Sequence, residues 1–352
     1  MGICFAGGAC SCVIPEYNVL MLNANAPAVI LAPMDGLTDA PMRAVQGETG
    51  AFTFAVSEFL RISSDVPGKR VFIRHVPELS NGGLTQSGLP VQVQLLGGDS
   101  GRMAESAAVA CRAGATAIDI NFGCPAPTVN RHDGGATLLK HPQRIREIVR
   151  SVREAVPQNI PVSAKLRLGW DTLDAILENA DMAAEGGASW LTIHGRTRAQ
   201  GYAPPAHWEP IGEVRKRVGI PVVANGDIWS LDDFHRCRDI TGCSHFMLGR
   251  GALANPLLSH QIAHELGLIP HKPTERMTPD FNWLPYLELL LEHSRTIEGR
   301  NGKSTLCRLK QWLMLARRHG CFLGFDEVKR LETVEELLAA LDPLRRPVGA
   351  GR

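Results

Sequence analysis

The sequence lacks the features that mark disulfide-rich, zinc-binding and membrane-spanning proteins. It has no Cys-x-x-Cys pair, and its nine cysteines are odd in number and scattered, which argues against a disulfide framework and against a zinc site. No apolar run approaches the ~18 residues that a membrane-spanning helix requires. Reduced cysteines are typical of the cytoplasm. We therefore expect a cytoplasmic protein with no metal and no membrane partner.

Net charge is also almost absent. The 352 residues carry a formal charge of +1 at pH 7, so any binding to nucleic acid must come from a local patch. The length allows one large domain and a smaller one. Residues 1–26 lack the basic segment of a signal peptide. We expect them to form a weakly ordered leader, in which Met21 is an alternative natural start.

What is present, from Ala28 onward, is a repeated pattern of apolar strand, polar loop and amphipathic helix. Eight strands that alternate with helices over ~220–240 residues are typical of a (β/α)8 TIM barrel. A doubly wound open sheet would favour a Gly-x-Gly-x-x-Gly turn after the first strand, where this chain has Ala32-Pro-Met-Asp-Gly36. The predicted strands are Ala28–Met34, Phe52–Phe59, Val91–Gly97, Ala117–Phe122, Pro161–Leu168, Trp190–His194, Pro221–Asn225 and Ser244–Leu248, and helical periodicity covers Ser100–Ala113, His141–Val156, Thr172–Glu185 and Trp208–Val218.

The pattern changes after Gly267. We predict a barrel over residues 27–267, a proline-marked linker over 268–284, and a helical domain over 285–345 with helices at Tyr286–Glu298, Thr305–His319 and Val334–Leu341. The middle of this domain is basic. A charged helix is usually only a solvated face, but beside an active-site mouth it would contact phosphates. The basic residues are Arg295, Arg300, Lys303, Arg308, Lys310, Arg317 and Arg318.

One cysteine stands out by its position. The fourth predicted strand breaks at Gly123-Cys124-Pro125, and a polar loop with Asn130, Arg131 and His132 follows. An isolated cysteine is most often a small buried apolar residue. A thiol at the C-terminal end of a barrel strand, between glycine and proline, instead favours a functional role.

Other polar residues also fall at strand ends, which meet on one face of a barrel. Asn225-Gly226-Asp227 and Gly249-Arg250-Gly251 end the seventh and eighth strands and predict a phosphate clamp, although such glycines also make simple tight turns. Gln94 and Lys165 would point inward toward a cofactor ring. A flavin needs amide partners and benefits from a nearby cation. A salt bridge to a strand-end carboxylate is the alternative explanation for Lys165.

These motifs together resemble a known family. Leu31-Ala-Pro-Met-Asp-Gly36, Val93-Gln-Leu-Leu-Gly97, Asp119-Ile-Asn-Phe-Gly-Cys-Pro125, Lys165-Leu-Arg-Leu-Gly169, His194-Gly-Arg-Thr197 and the two glycine turns are similar, in order and spacing, to the tRNA-dihydrouridine synthases over residues 28 to 340. Further segments resemble the bacterial DusC subfamily, which modifies uridine 16 in the D-loop: Pro125-Ala-Pro-Thr-Val-Asn130, Arg167-Leu-Gly-Trp170, Gln200-Gly-Tyr202 and Leu309-Lys-Gln-Trp312.

The resemblance implies a cofactor, a reductant and a partner. It implies flavin mononucleotide (FMN) reduced by NADPH or NADH, hydride transfer from flavin N5 to uracil C6, and Cys124 as the general acid that protonates C5. By position, the FMN-binding residues would be Pro33, Met34, Asp35, Gln94, Lys165, His194, Asn225, Gly226, Asp227, Gly249 and Arg250, and the tRNA-binding residues would be Arg61, Asn121, Tyr202, Arg308 and Lys310. A lone histidine such as His194 is also often a packed residue. We expect a monomer.

Two other functions remain open from the residues themselves. One is a flavin barrel that acts on a free pyrimidine or another small enone, which the basic helical segment disfavours because a free base offers no phosphates. The other is a non-catalytic RNA-binding protein that kept the barrel, which would be colourless when purified.

Overall fold

The computed structural model describes residues 22–342 except residues 132, 274, 279, 280, 300 and 301. Most of the predicted leader with Met21, the residues His132 and Arg300, and positions 343–345 of the predicted helical domain lie outside the described residues.

The described chain forms a closed parallel β-barrel, as predicted. The strands are β1 (Ala28–Leu31), β2 (Phe54–Val56), β3 (Leu60–Arg61), β4 (Val91–Leu96), β5 (Ile118–Asn121), β6 (Val162–Arg167), β7 (Leu191–His194), β8 (Val222–Asn225) and β9 (His245–Leu248). Their order is β2-β1-β9-β8-β7-β6-β5-β4, and pairing of β2 with β4 closes the barrel. Each of the eight predicted strands is present, and β3 is an unpredicted two-residue addition that pairs with β4.

The first strand is shorter than predicted. We expected it to continue to Met34, but it ends at Leu31. The amide of Ala32 still donates to the carbonyl of Leu248, 2.8 Å away. Pro33 has no N–H to continue the pairing, so the chain turns into a loop there.

Helices surround the barrel. They are α1 (Ala40–Glu48), α2 (Lys69–His75), α3 (Ser100–Ala113), α4 (Pro127–Asn130), α5 (Pro142–Ala155), α6 (Ile176–Glu185), α7 (Glu209–Arg217), α8 (Leu231–Thr241), α9 (Arg250–Ala254) and α10 (Leu258–Glu265). Four of them, α3, α5, α6 and α7, correspond to the helices predicted there. In α5, Ile145, Ile148, Val149 and Val152 are buried at helical spacing, so its apolar stripe faces the strands. The predicted helix at Thr172 begins later, at Ile176, because residues 171–175 form bends and turns.

Four further helices pack on one side of the barrel: α11 (Leu284–Glu298), α12 (Lys303–Arg318), α13 (Phe325–Val328) and α14 (Val334–Leu341). Their core is continuous with Met42 and Val45 of α1 and Leu253 of α9. The indole N–H of Trp312 donates to the carbonyl of Leu253, 2.7 Å away. A hydrogen bond therefore joins the helical segment to α9, the helix that follows β9. None of the described helices is long and apolar enough to cross a bilayer.

Candidate active site

A cavity of about 610 Å³ opens at the C-terminal ends of the barrel strands. This volume lies within the ~300–1,000 Å³ that ligand pockets usually have. Its lining comes from residues that end or follow β1, β2, β5, β6, β7, β8 and β9, which is where the sequence placed the polar side chains. The lining includes Glu58, Phe59, Asn121, Cys124, Lys165, Arg167, His194, Arg196, Tyr202, Trp229 and Arg250.

Cys124 lies on the lining of this cavity, in the loop after β5. The adjacent Gly123 donates its N–H to Oδ1 of Asn121 at 2.8 Å, and the Cys124 carbonyl accepts the N–H of Ala136 at 3.1 Å. Gly135 has a φ of +60°, and a Cβ there would come within 3.0 Å of the Cys124 carbonyl, so the loop requires glycine beneath the thiol. Burial raises the pKa of Cys124, and Asp35 raises it further. The thiol is therefore protonated at neutral pH.

Cations line the part of the cavity formed by the ends of β6 to β9. Lys165 donates a long, 3.4 Å hydrogen bond to Oδ1 of Asn225. Burial, followed by the neighbouring charge of Arg167, lowers the pKa of Lys165 to about 8. Arg167 donates to the carbonyls of Gly123, at 2.7 Å, and Gly201, at 2.8 Å. It therefore connects the cysteine loop to β6 and to the loop that carries Tyr202.

His194 ends β7, and Arg196 lies two residues further on. Burial lowers the pKa of His194 well below its usual value, and Arg167 and Lys165 lower it further, so its ring is neutral. Arg196 lies 3.2 Å from that ring and forms a salt bridge with Asp227. Burial alone would raise the pKa of Asp227, but the hydrogen bond and charge of Arg196 outweigh it and lower the pKa. Asp227 is therefore ionised and fixed by Arg196.

The glycine turns after β8 and β9 allow close approach of the backbone. A Cβ on Gly251 would lie 2.2 Å from the carbonyl of Ile228, which no side chain tolerates. Arg250 places its guanidinium 5.1 Å from the Tyr202 ring and 5.0 Å from the Trp229 ring. Trp229 in turn stacks on His319, with ring centres 3.7 Å apart and planes 17° apart. The wall of the cavity thus continues into the helical segment.

Ten of the eleven residues expected to bind the cofactor line this cavity: Pro33, Met34, Asp35, Lys165, His194, Asn225, Gly226, Asp227, Gly249 and Arg250. Gln94 lies beneath it. Its side chain is fully buried, donates to Oδ2 of Asp119 at 2.7 Å and accepts from Nδ2 of Asn121 at 2.9 Å. The sequence alone assigns no role at the site to Arg167, Arg196, Phe59 or Trp229. For the two arginines, a strand-end position was the available signal.

The residues expected to bind tRNA lie in three places. Asn121 and Tyr202 line the cavity, and Tyr202 is 58% exposed. Arg61 lines a second cavity of about 660 Å³, and its guanidinium donates to the carbonyl of Thr128 at 3.3 Å.

Arg308 and Lys310, on α12, have internal partners. Arg308 forms a 2.7 Å salt bridge with Asp39 and donates to the carbonyl of Leu37 at 3.0 Å, while Lys310 donates to the carbonyl of Lys329 at 2.9 Å. Arg308 therefore links α12 to the loop after β1.

Comparison with known proteins supplies a family. Residues 30–336 match the family model described as dihydrouridine synthase (Dus). The tRNA-dihydrouridine(16) synthase of Neisseria meningitidis serogroup A is 44% identical and covers 91% of this chain and 95% of its own. The proteins of the same name from Shewanella oneidensis and Aquipseudomonas alcaligenes are 42% identical (89% of this chain, 97% of that one) and 44% identical (90% and 99%).

Solved structures show the same fold at much lower identity. Histamine dehydrogenase from Rhizobium sp. 4-9 superposes with a TM-score of 0.52 at 14% identity, over 74% of this chain and 49% of that one. A 2-naphthoyl-CoA reductase in complex with 2-naphthoyl-CoA gives a TM-score of 0.52 at 10% identity, over 68% and 50%. The chain spans about half the length of these two proteins, and at these identities the likeness concerns the fold alone.

Proposed function

The chain belongs to the dihydrouridine synthase family, and from that premise we propose that it reduces a uridine of tRNA, uridine 16 of the D-loop, to 5,6-dihydrouridine. The observation that carries the proposal is a protonated thiol, Cys124, on the wall of a cavity that is also lined by the cations Lys165, Arg167 and Arg250. The relatives named tRNA-dihydrouridine(16) synthase support both the tRNA substrate and the position.

The cavity has the donor set that a phosphorylated flavin requires. Lys165 is a partly buried cation with a long internal hydrogen bond, and Arg250 presents a second positive charge beside the Gly249 turn. FMN, reduced by NADPH or NADH, would supply the hydride that uracil C6 receives. The residues that would hold it are Pro33, Met34, Asp35, Lys165, His194, Asn225, Gly226, Asp227, Gly249 and Arg250, and Gln94 supports this set from below through Asn121.

Cys124 would act as the general acid. Its raised pKa keeps the proton on sulfur at neutral pH, and a protonated thiol can deliver that proton to C5 of the uracil ring as C6 is reduced. The Gly123 N–H bond to Asn121 and the Ala136 N–H bond to the Cys124 carbonyl fix the loop on both sides of the thiol. The position of the sulfur is therefore set before substrate binds.

The substrate base must leave the tRNA stack to reach this thiol. Tyr202 is exposed at the cavity rim, where a ring can stack on a base, and Asn121 lies inside the cavity with polar atoms near the cysteine loop. Arg61, Arg308 and Lys310 would contribute positive charge toward phosphates on either side of the mouth. From the proposed tRNA substrate we infer a cytoplasmic location for the enzyme. We also propose that it is a monomer, and size-exclusion chromatography with light scattering would test this.

The experiment compares substrates on the purified protein. We expect a yellow preparation with flavin absorbance that reduces unmodified tRNA in the presence of NADPH, with dihydrouridine mapped to position 16, and does not reduce free uridine. Reduction of free uridine at a similar rate would instead support a small-molecule oxidoreductase. A colourless protein that binds tRNA without reducing it would indicate a binding function alone.

A further inference from the structure

A continuous chain of buried side chains runs through the barrel beneath Cys124. Ser163 on β6 donates to Oδ1 of Asp119, and Gln94 on β4 donates to Oδ2 of the same carboxylate at 2.7 Å. Asn121 donates to Oε1 of Gln94 at 2.9 Å and accepts the N–H of Gly123 at 2.8 Å. Asp119 and Gln94 are at most 2% exposed. The path thus leads from the barrel interior to the residue that precedes the cysteine.

The two ends of this path determine its direction. Burial raises the pKa of Asp119 to about 6, so this carboxylate is mostly ionised at pH 7 and above. An ionised carboxylate only accepts hydrogen bonds, and a backbone N–H only donates. Between them lie two amides, each of which has one donating and one accepting end. If the NH2 group of Gln94 faces Asp119, its oxygen must face Asn121, and the oxygen of Asn121 must then face Gly123. Reversal of either amide would oppose two donors or two acceptors in a buried place, which costs ~1–3 kcal/mol per unsatisfied group.

We propose that Asp119 is a positioning residue for Cys124, because its carboxylate sets the orientation of the Gln94 and Asn121 amides so that Asn121 holds the N–H of Gly123. The inference rests on the role proposed above for the Cys124 thiol. Asp119 lies too deep to touch a substrate, since its strand partner is Gln94, whereas Asn121, two residues further on, lines the cavity. It acts on the reaction through the loop alone.

The first test is Asp119→Asn, which keeps the shape of the side chain but adds a donor. The variant removes the acceptor-only end, so the Gln94 and Asn121 amides adopt both orientations, and in one of them the Gly123 N–H faces another donor. We expect turnover of tRNA to fall about tenfold with an unchanged KM, which corresponds to the loss of one buried hydrogen bond. Alkylation of Cys124 by iodoacetamide, followed on its peptide by mass spectrometry, should become at least severalfold faster as the loop loosens.

The decisive test is a swap of the two groups. In Asp119→Asn with Gln94→Glu, the oxygen of the new amide at position 119 accepts from Ser163, and its NH2 group donates to the new carboxylate at position 94. That carboxylate only accepts, so it again requires the NH2 group of Asn121 and directs the Asn121 oxygen toward Gly123. We expect the double variant to recover most of the lost turnover and the slow alkylation rate. Gln94→Glu alone places two carboxylates side by side and should be the least stable of the set.

Gln92→Met serves as the matched control. Gln92 is also buried on β4 and bonds the Ile118 carbonyl and Ser163, but it is not part of the path from Asp119 to Gly123. We expect this variant to lower the melting temperature and leave Cys124 alkylation at the wild-type rate. Flavin absorbance measured on each protein verifies that the cofactor is retained.

The outcomes separate the two proposals. A double variant no better than Asp119→Asn, or Asp119→Asn with wild-type turnover and alkylation, would overturn the positioning role. Wild-type protein that makes no dihydrouridine would overturn the proposed function, while the alkylation rates of the same variants would still decide whether Asp119 orders the cysteine loop.

Discussion

The two sides of the cavity differ in charge. The side formed by the ends of β6 to β9 carries Lys165, Arg167, Arg196 and Arg250, with Asp227 as the carboxylate bonded to Arg196. The side formed by the loops after β1, β2 and β5 carries Asp35, Glu58 and the thiol of Cys124.

This division assigns a different task to each side. Burial, and after it the charge of a neighbouring arginine, lowers the pKa of Lys165 and of Arg250, and this side is suited to an anionic ligand. Burial and nearby carboxylates instead raise the pKa of both Glu58 and Cys124. One side therefore favours bound negative charge and the other keeps a proton on sulfur. A single cavity can thus offer both a site for a phosphorylated cofactor and an acid.

The largest expected effect comes from removing the acid. Cys124→Ala should lower the rate of uridine reduction by about 10²–10⁴-fold, the usual contribution of a positioned general acid, while flavin binding and its reduction by NADPH persist. Cys111→Ala is the matched control, because that partly buried thiol lies on α3 outside the cavity and should be dispensable. Single-turnover reduction of tRNA measures both. Full activity of the Cys124 variant would remove the thiol from the chemistry.

The second-largest expected effect concerns the cationic side of the cavity. Arg250→Gln removes a charged hydrogen-bond donor and should weaken FMN binding by ~1.5–3 kcal/mol, or about 10–150-fold in Kd. Titration of the apoprotein with FMN by fluorescence gives the Kd. Arg146→Gln, which changes an exposed arginine paired with Glu185, should leave the Kd as it is. Equal affinity in all three proteins would contradict a role of Arg250 in binding the cofactor.

A smaller effect should appear with pH. Lys165 has a pKa of about 8, below the ordinary lysine value, so its charge is present below that pH and is lost above it. We expect FMN affinity to fall by about fivefold between pH 7 and pH 9, the difference of ~1 kcal/mol between a charged and a neutral donor. Lys165→Met should bind more weakly and show a flat profile over this range. The same slope in that variant would assign the titration to another group.

The smallest expected effect concerns Arg308, which lies outside the cavity and holds a loop on its acidic side. Arg308 of α12 bonds the loop that carries Asp35, and it is only 12% exposed. Arg308→Ala should weaken tRNA binding about two- to threefold, typical of a partly exposed charge contact. The slope of log Kd against log salt should fall by about one, as for one lost phosphate contact. Arg317→Ala, at an exposed arginine paired with Asp326, is the comparison. A lower melting temperature with unchanged tRNA affinity would make Arg308 an anchor of the loop alone.

The sequence predicted the barrel because each strand leaves a local signal, an apolar run bounded by turn residues. It missed β3, since two residues show no periodicity, and it extended β1 past Pro33. At the site, Cys124 and the glycine turns could be predicted because each lies at the end of a predicted strand.

The depth of a side chain inside the barrel and the path of a loop could not be predicted in the same way. Strand alternation predicts that Gln94 faces the barrel interior, but it does not predict how deep the side chain lies. Each residue advances ~3.3 Å along a strand. Gln94 pairs with Asp119, below the cavity, and not with a residue at the strand end. Trp229 lies in the loop after β8, where its backbone N–H donates to Asp233 and its indole N–H donates to Asp227. Its stacking on His319 joins residues far apart in the chain, and no local pattern records that contact.

The stacking of Trp229 on His319 has a practical consequence. This indole lies on the cavity wall and also packs against the apolar core of the helical segment. Its emission should therefore be quenched when a flavin occupies the cavity and should change again when the helices shift against the barrel. The enzyme thus contains an intrinsic optical probe, and stopped-flow spectroscopy on unlabelled protein could time cofactor loading and tRNA docking separately.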